Sequence, residues 1–191
     1  SDSRYVNHNS NTAGTDNFIA GNNAGDSIPS GGNYNTVVGN EAGTALTTGD
    51  SNVFMGFEAG KSQTTGVKNV AIGANALATQ NFTSSTDSYN TAVGYSAGTS
   101  ITTGIRNTIM GPEAGDALTD ADYNIAVGDL ALSSDTLGTR SVAIGYATLT
   151  AQNFTTATNT MNVAVGHGAG NAVTTGLNNV LIGAEAGDAL T

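Results

Sequence analysis

The feature that most constrains this chain is a five-residue phrase, Asn, three mostly apolar residues and Gly, which returns ten times. Examples are NVAIG at 69–73, NTAVG at 90–94 and NVAVG at 162–166. Successive phrase glycines are 17 residues apart in most units, 18 in the first interval and 21 in the fourth and eighth. The ten glycines are Gly21, Gly39, Gly56, Gly73, Gly94, Gly111, Gly128, Gly145, Gly166 and Gly183. A period this short and regular predicts a solenoid.

The sequence also has a longer repeat of 72 residues that contains four of the short units, because every fourth interval is long. The two long units carry matching inserts, TQNFTSSTDSYN at 79–90 and AQNFTTATNTMN at 151–162. The pattern indicates duplication of a block of four units. We therefore divide the chain into an irregular entry segment, 1–16, and one repeat domain, 17–191. The sequence stops within a unit, at EAGDALT, which predicts a segment of a longer fibre.

The predicted fold class is all-β, a parallel β-solenoid of about ten coils with almost no helix. A 17-residue unit is too short for a pair of helices, whereas its β-branched residues and glycines suit strands and turns. We expect one coil per unit, with two short strands and two turns. Ten coils stacked about 4.8 Å apart make a rod roughly 48 Å long.

The three residues between Asn and Gly are apolar at nearly every position, including the middle one. On a strand the first and third share a face, and we assign that face to the coil interior. The middle residue then faces outward, where it needs a second cover. We predict that this row is the seam at which three chains pack around one axis. The candidate seam residues are Val37, Phe54, Ala71, Ala92, Ile109, Ala126, Ala143, Ala164 and Leu181.

The remaining positions of the phrase have backbone roles. Repeated Gly permits positive φ and close approach of neighbouring coils. Repeated Asn can hydrogen-bond turn backbone and stack as a ladder.

Composition excludes several classes of function. The net charge is −10, with five Lys plus Arg, which disfavours nucleic acid and anionic membrane surfaces as partners. There is no Cys, so a disulfide scaffold and thiolate metal sites are excluded. No apolar run is long enough to span a membrane. Only 10% of residues are charged, and Asn, Ser and Thr fill the polar positions, as is common in extracellular β structures.

The phrases NVAIGANALA at 69–78 and SVAIGYATLTA at 141–151 resemble the head repeat of YadA-like trimeric autotransporter adhesins. NTAVGYSAGTSITTG at 90–104 is similar to repeats of phage tail fibres. The resemblance covers about residues 17–191. It implies a left-handed parallel β-roll, a homotrimer, an extracellular location and a structural or adhesive role. The adhesin repeat is usually a little shorter than 17 residues, so the polar second half of each unit should form a longer lateral strand or loop here.

The titratable residues do not predict a catalytic, cofactor or metal site. His8 and His167 lie far apart without ligand-like spacing. Asp116, Asp120 and Asp122 offer oxygen ligands for Ca²⁺, but the spacing of an EF-hand is absent. Glu recurs after the phrase, and a repeat supplies equivalent carboxylates without a distinct acid and base. We predict that the chain is not an enzyme.

Candidate lateral ligand contacts follow the phrase glycine. They are Phe57, Tyr95, Tyr146 and His167. Two interpretations are open, packing against the next coil or chain and a ladder on which sugars stack. Each insert also contains Asn-x-Thr, at Asn81 and Asn153, a glycosylation signal in a suitable export pathway and otherwise an insert turn with a buried Phe82 or Phe154.

Two functions follow from these features. The first is a trimeric shaft of a phage tail fibre or bacterial surface adhesin, which supports attachment to a host or surface and contacts a cell-surface polysaccharide or receptor. The alternative is an ice- or surface-binding solenoid, because Thr pairs such as Thr47–Thr48 and Thr102–Thr103 could form a flat array. Interrupted units such as SSDTLG at 133–138 weigh against the alternative.

Overall fold

The computed structural model describes residues 6–8, 14–28 and 31–191, with side chains from residue 14 onward in those ranges. These residues form short β-strands joined by turns and contain no helix. The strands are β1 Val6–His8, β2 Phe18–Ala20, β3 Thr36–Val38, β4 Val53–Met55, β5 Gly66–Val67, β6 Val70–Ile72, β7 Thr86–Asp87, β8 Thr91–Val93, β9 Thr108–Met110, β10 Ile125–Val127, β11 Gly138–Thr139, β12 Val142–Ile144, β13 Thr158–Asn159, β14 Val163–Val165 and β15 Val180–Ile182.

The repeated phrase forms the main sheet. Its order is β1-β2-β3-β4-β6-β8-β9-β10-β12-β14-β15, and every pair after β1-β2 is parallel. Each phrase pairs with the next in the same register, for example Ala71 with Ala92 and Ala126 with Ala143. The prediction of an all-β solenoid with about ten coils is therefore confirmed. Most coils contain one strand rather than the expected two, because the polar half of the unit returns through turns.

The turns stack from coil to coil as regularly as the strands do. The N–H of Gly43 donates to the carbonyl of Ala59 at 2.9 Å, and Gly60 repeats the bond to Ala76 at 2.9 Å. The phrase glycine permits this stacking. Gly111 has φ +133°, and a Cβ there would lie 2.6 Å from the carbonyl of Gly128 in the next coil. A side chain at this position would therefore push the coils apart.

The two inserts occupy the same place in their coils. In the first block β5 pairs in parallel with β7, and in the second β11 pairs with β13, with every position shifted by 72 residues. Phe82 and Phe154 are buried beneath the inserts, while Thr83 and Thr155 are exposed. The two inserts are thus equivalent, and both Phe residues are buried as the interpretation of an insert turn predicts, while glycosylation at Asn81 and Asn153 stays a prediction.

The entry segment is not wholly irregular. Strand β1 pairs antiparallel with β2, so that Val6 lies opposite Ala20 and His8 opposite Phe18. Residues 1–5 and 9–13 of the predicted entry segment lie outside the described residues. The side chain of His8 also lies outside the described part of the chain.

Candidate functional site

The predicted seam residues lie inside the coil of their own chain, so the assignment of strand faces was wrong. Eight of the nine have no exposed surface, and Leu181 packs partly buried against the same core. These residues are Val37, Phe54, Ala71, Ala92, Ile109, Ala126, Ala143, Ala164 and Leu181. They are therefore the core of the solenoid and are not available to a second chain.

The alternation of sizes along this row has an explanation within one chain. Where the strand residue is Ala71, Leu77 fills the coil from the opposite turn, and both are fully buried. Where it is Phe54, the turn residue is Gly60, and a Cβ on Gly60 would lie 2.7 Å from the Phe54 ring. In these two coils a small strand residue faces a large turn residue and the reverse, whereas the coils of Ala92 and Ala164 have Gly at the turn position. There the space is approached by Leu77 and Leu149 of the preceding coils, which would lie 3.3 and 2.8 Å from a Cβ on Gly98 and Gly170.

The first and third residues of each strand make up an outward surface, here named the outer apolar face. Met55, Ile72, Met110 and Ile144 are 37–43% exposed, although they lie on regular strands. Every position of this face is apolar or Thr. The first-position residues are Phe18, Thr36, Val53, Val70, Thr91, Thr108, Ile125, Val142, Val163 and Val180. The third-position residues are Ala20, Val38, Met55, Ile72, Val93, Met110, Val127, Ile144, Val165 and Ile182.

The phrase asparagines form a buried ladder, as predicted. The N–H of Asn52 donates to the side-chain oxygen of Asn35 at 2.9 Å, and the Asn52 amide donates to the Gly66 carbonyl at 3.0 Å. Asn107 repeats both bonds with Asn90 and Ala121. The ladder satisfies turn carbonyls that would otherwise be buried without a partner. Ser141 replaces Asn in the eighth phrase and does not continue the ladder through its own side chain, whose hydroxyl instead pairs with Thr160 at 2.5 Å.

A buried carboxylate lies beside Ser141, and sequence analysis missed it. Asp135 is fully buried and accepts the backbone N–H groups of Gly138 and Phe154, each at 3.0 Å. The Gln152 amide donates to Asp135 at 2.6 Å and to Ser141 at 2.9 Å. Position 135 is the seventh residue after a phrase glycine, where Ile, Leu, Val or Gln stands in other units. That exception was a detectable signal.

The candidate lateral contacts lie on the surface of the single chain. Phe57, Tyr95 and Tyr146 are 46–56% exposed. Tyr146 stacks on His167 of the next coil, with ring centroids 5.1 Å apart. Phe57 and Tyr95 are separated by Ala74 at the same position of the intervening coil. Their role in ligand contact stays a prediction.

A second aromatic row was not predicted. It is the cation–aromatic column, formed by Lys68, Tyr89, Arg106, Tyr123 and Arg140, one residue from each of five successive coils. The Lys68 Nζ lies 5.0 Å from the Tyr89 ring centroid, and the Arg106 guanidinium lies 5.6 Å from the same ring. Arg106 and Arg140 lie 5.7 and 5.2 Å from the Tyr123 ring. Each residue immediately precedes the ladder position and has positive φ, so its recurrence at that place in the unit was readable from the sequence.

The column ends beside a cleft of about 190 Å³ at the second insert. The cleft is lined by Asp122, Tyr123, Thr139, Arg140, Thr158 and Asn159. The Arg140 guanidinium and the Thr139 hydroxyl both donate to the side-chain oxygen of Asn159. Burial raises the pKa of Asp122, opposed by the N–H of Ile105 that the carboxylate accepts at 2.8 Å.

The first block differs at the equivalent place. Lys68 forms an ion pair with Asp87 at 2.9 Å and bonds the Tyr89 hydroxyl at 3.2 Å. The Asp87 carboxylate, followed by the Tyr89 hydroxyl, raises the pKa of Lys68, and Lys68 lowers the pKa of Asp87. Ser51 stands where the second block has Tyr123. The first block thus neutralises its own cation and lacks a ring at the place of Tyr123, so the ring next to Lys68 is that of Tyr89 in the following coil.

The candidate Ca²⁺ ligands do not converge. Asp120 accepts the Thr103 hydroxyl at 2.7 Å, Asp122 accepts a backbone N–H, and one oxygen of Asp116 is buried without a hydrogen-bond partner among the described residues. No cluster of three or more His, Cys, Asp or Glu placed to hold a metal ion occurs in the described part of the chain. Burial raises the pKa of Asp116.

Two of the recurring glutamates, Glu41 and Glu58, are bridged by one lysine rather than left to repel each other. Lys61 contacts Glu41 at 2.8 Å and Glu58 at 3.0 Å. The hydrogen bond that Lys61 donates to Glu41, followed by the one it donates to Glu58, raises the pKa of Lys61.

Several of the Thr pairs direct hydroxyls to the next coil. Thr47 donates to the Thr64 carbonyl at 3.0 Å, and Thr65 donates to the Phe82 carbonyl at 2.7 Å. Their hydroxyls thus form part of the hydrogen bonding between coils.

The chain matches no protein-family model, no curated protein and no solved structure. Across residues 6–8, 14–28 and 31–191, no helix has the length and hydrophobicity required to cross a membrane.

Proposed function

We propose that this chain is a shaft segment of an extracellular fibre, a homotrimer that supports attachment of a virion or a bacterial cell to a host or surface. The observation that carries the proposal is the outer apolar face. Ten parallel strands of three residues give it dimensions of roughly 48 by 10 Å. Its area of about 480 Å² is that of the largest apolar patch on a typical monomer, and such patches often mark an interaction surface.

The occupant that suits this face best is another copy of the chain. The face has no charged residue and the same width in every coil, so a second solenoid can lie along its whole length with matching coil spacing. Three copies around one axis follow from the resemblance to trimeric adhesins and tail fibres. The low proportion of charged residues, 10%, is in keeping with an extended extracellular β structure.

Two charged substitutions on the face test the assembly. Ile72→Asp with Ile144→Asp places a carboxylate on the third position of two strands that are 72 residues apart, at side chains already 37% and 38% exposed in one chain. We expect the unmodified protein to have three times the 19.0 kDa chain mass by light scattering, and the double variant to dissociate, because a charge cannot stay hydrated in a dry interface.

The control is Thr83→Asp with Thr155→Asp, which adds the same charge on the exposed inserts and should leave the mass unchanged. A monomeric unmodified protein would overturn the fibre proposal. A dimer would retain the covered face and contradict the threefold arrangement.

A further inference from the structure

We propose that the cleft between Tyr123, Arg140 and Asn159 binds a carboxylate-bearing sugar unit of an acidic polysaccharide. The inference deepens the proposed function by naming a ligand class. It rests on that function only for the place of the polysaccharide, the host or surface to which the fibre attaches. The cleft itself belongs to one chain and uses no residue of the outer apolar face.

Apart from the Asp122 carboxylate, Asn159, Tyr123 and Arg140 offer free hydrogen-bond donors in the cleft. Asn159 uses its oxygen to accept from Arg140 and Thr139, and its side-chain amide N–H groups make no hydrogen bond to another described residue. The Tyr123 hydroxyl makes no bond to another described residue, and Arg140 has further N–H groups beyond the one given to Asn159. A donor-rich site with a guanidinium selects an acceptor-rich, anionic group, which a carboxylate supplies in matching planar geometry.

The guanidinium of Arg140 is held in place before any ligand arrives. Its Cζ lies 5.2 Å from the centroid of the Tyr123 ring, and Asn159 fixes the other side. Arg106 stacks on the same ring at 5.7 Å. Because long side chains lose rotamer freedom on binding, a cation already fixed by its neighbours binds an anion at lower entropic cost.

The comparison between the two blocks singles out this position. Lys68 occupies the place of Arg140, but Asp87 neutralises it at 2.9 Å. In the second block the residue in the place of Asp87 is the uncharged Asn159, and Arg140 has no carboxylate within 4.0 Å among the described residues. The duplicated blocks thus differ in the charge that would repel an anionic ligand.

The carboxylate of Asp122 is the group that opposes an anion here. One of its oxygens accepts the N–H of Ile105 at 2.8 Å. This hydrogen bond offsets part of the negative charge of the carboxylate. Two guanidinium groups, Arg106 and Arg140, flank the same ring. A ligand carboxylate next to Arg140 therefore meets more donors than acceptors.

The volume of the cleft limits the ligand to a small unit. At about 190 Å³ it is below the ~300 Å³ at which pockets for drug-sized molecules begin. Its place on the insert surface leaves room for a polysaccharide to continue on either side of the bound unit. Weak single sites on several chains of a fibre would sum through multivalency.

Calorimetric titration of the purified protein with oligogalacturonate, sialyllactose and neutral maltotriose tests the inference. We expect binding of at least one acidic probe, at one site per chain, and at least about tenfold weaker binding by Arg140→Gln, since a charge-assisted contact is lost. Lys68→Gln, the matched change in the first block, should bind as the unmodified protein does. Tyr123→Phe removes only the hydroxyl and should weaken binding by a smaller factor.

A transplant into the first block gives a second, independent test. Ser51→Tyr with Asp87→Asn should raise the number of sites per chain from one toward two, because it supplies the ring and removes the neutralising carboxylate. Binding of oligogalacturonate alone assigns uronate as the source of the carboxylate, and binding of sialyllactose alone assigns sialic acid.

Equal binding of maltotriose, no binding of either acidic probe, or an unchanged affinity in Arg140→Gln would each overturn the inference. The mass measured for the same samples distinguishes this failure from that of the fibre proposal. A trimer that binds no acidic sugar refutes the cleft alone, and a monomer that binds one refutes the fibre alone.

Discussion

At the residue scale, the coil interior is governed by compensation between strand and turn side chains. Leu77, Leu132 and Leu149 have φ between +49° and +56°, in the left-handed region, where other units have Gly. A non-glycine residue there costs about 1–2 kcal/mol. Each of the three stands opposite an Ala in its strand and is fully buried. In these three coils, filling the space opposite a small strand residue outweighs the backbone strain.

Exchange of sizes in one coil tests this compensation. Phe54→Ala should lower the free energy of unfolding by about 3–5 kcal/mol, because it empties a fully buried site. Gly60→Leu alone should also destabilise, since its side chain collides with the Phe54 ring. The two changes together reproduce the Ala71 and Leu77 arrangement, and denaturant unfolding should show recovery of part of the loss. A double variant as unstable as the sum of the two single variants would contradict the compensation.

Asp116 predicts how stability depends on pH. Burial raises its pKa in the folded protein, so the folded chain keeps the proton at pH values where the unfolded chain has released it. Stability contributed by this group therefore falls as pH rises above the ordinary Asp value of about 3.9, and the loss persists at neutral pH. Asp116→Asn should raise the melting temperature at pH 7 and have little effect on it well below the ordinary Asp pKa of about 3.9.

The matched control is Asp188→Asn, in the second copy of EAGDALT, where the side chain is exposed. This variant removes the same charge from an exposed position, so it changes the net charge of the protein without removing a buried carboxylate. An equal increase in melting temperature from both variants at pH 7 would attribute the effect to net charge rather than to burial.

At the scale of the coil, the two blocks differ most in how they satisfy buried polar groups. In the second block Asp135 and Gln152 bond each other, and the amide of Asn162 donates to the Gln152 oxygen at 2.8 Å. The equivalent residues of the first block are Gln63 and Gln80. Both are fully buried, and no described residue bonds their side-chain amides. The first block should therefore be the less stable of the two.

Gln63→Asp transfers the satisfied arrangement to the first block. A carboxylate at position 63 can accept from the Gln80 amide and from the backbone N–H groups of Gly66 and Phe82, as Asp135 does in its own block. We expect the free energy of unfolding to rise by about 1–3 kcal/mol. The reciprocal change, Asp135→Gln, should lower it. Destabilisation by both variants in denaturant unfolding would show that the first block has its own solution for the two glutamines.

The strands were predictable from the sequence, but their inward face was not. Each parallel strand of the main sheet lies on the repeated phrase, because the residues between Asn and Gly define both its start and its end. Alternation normally identifies the buried face, and here both faces are apolar. The missing information was in the turn. Leu77 packs opposite Ala71, and Gly60 opposite Phe54, only in the closed coil, so the sequence alone does not show which strand face these turn residues cover. The same holds for the cleft, which needs two coils and an insert.

At the scale of the whole molecule, the two kinds of surface are separate. The outer apolar face runs along the main sheet without a charged residue. The cation–aromatic column holds three of the five Lys and Arg residues and lies at the bend that precedes the strands. The period and the charge count were readable from the sequence. The position of the column was not inferred, because its members are Lys, Tyr and Arg in turn and share a place in the unit rather than a residue type.

The 72-residue block has a consequence for how such a rod can change over time. Pairing continues across the block in the same register, as Val70 pairs with Thr91 and Val142 with Val163. A recombination event that inserts or deletes one whole block would therefore join surfaces that already fit, and would alter the length by about 19 Å, four coils at the usual strand spacing. Changes in the number of copied blocks can thus alter the length of the rod in fixed steps, while the contacts between neighbouring coils stay the same.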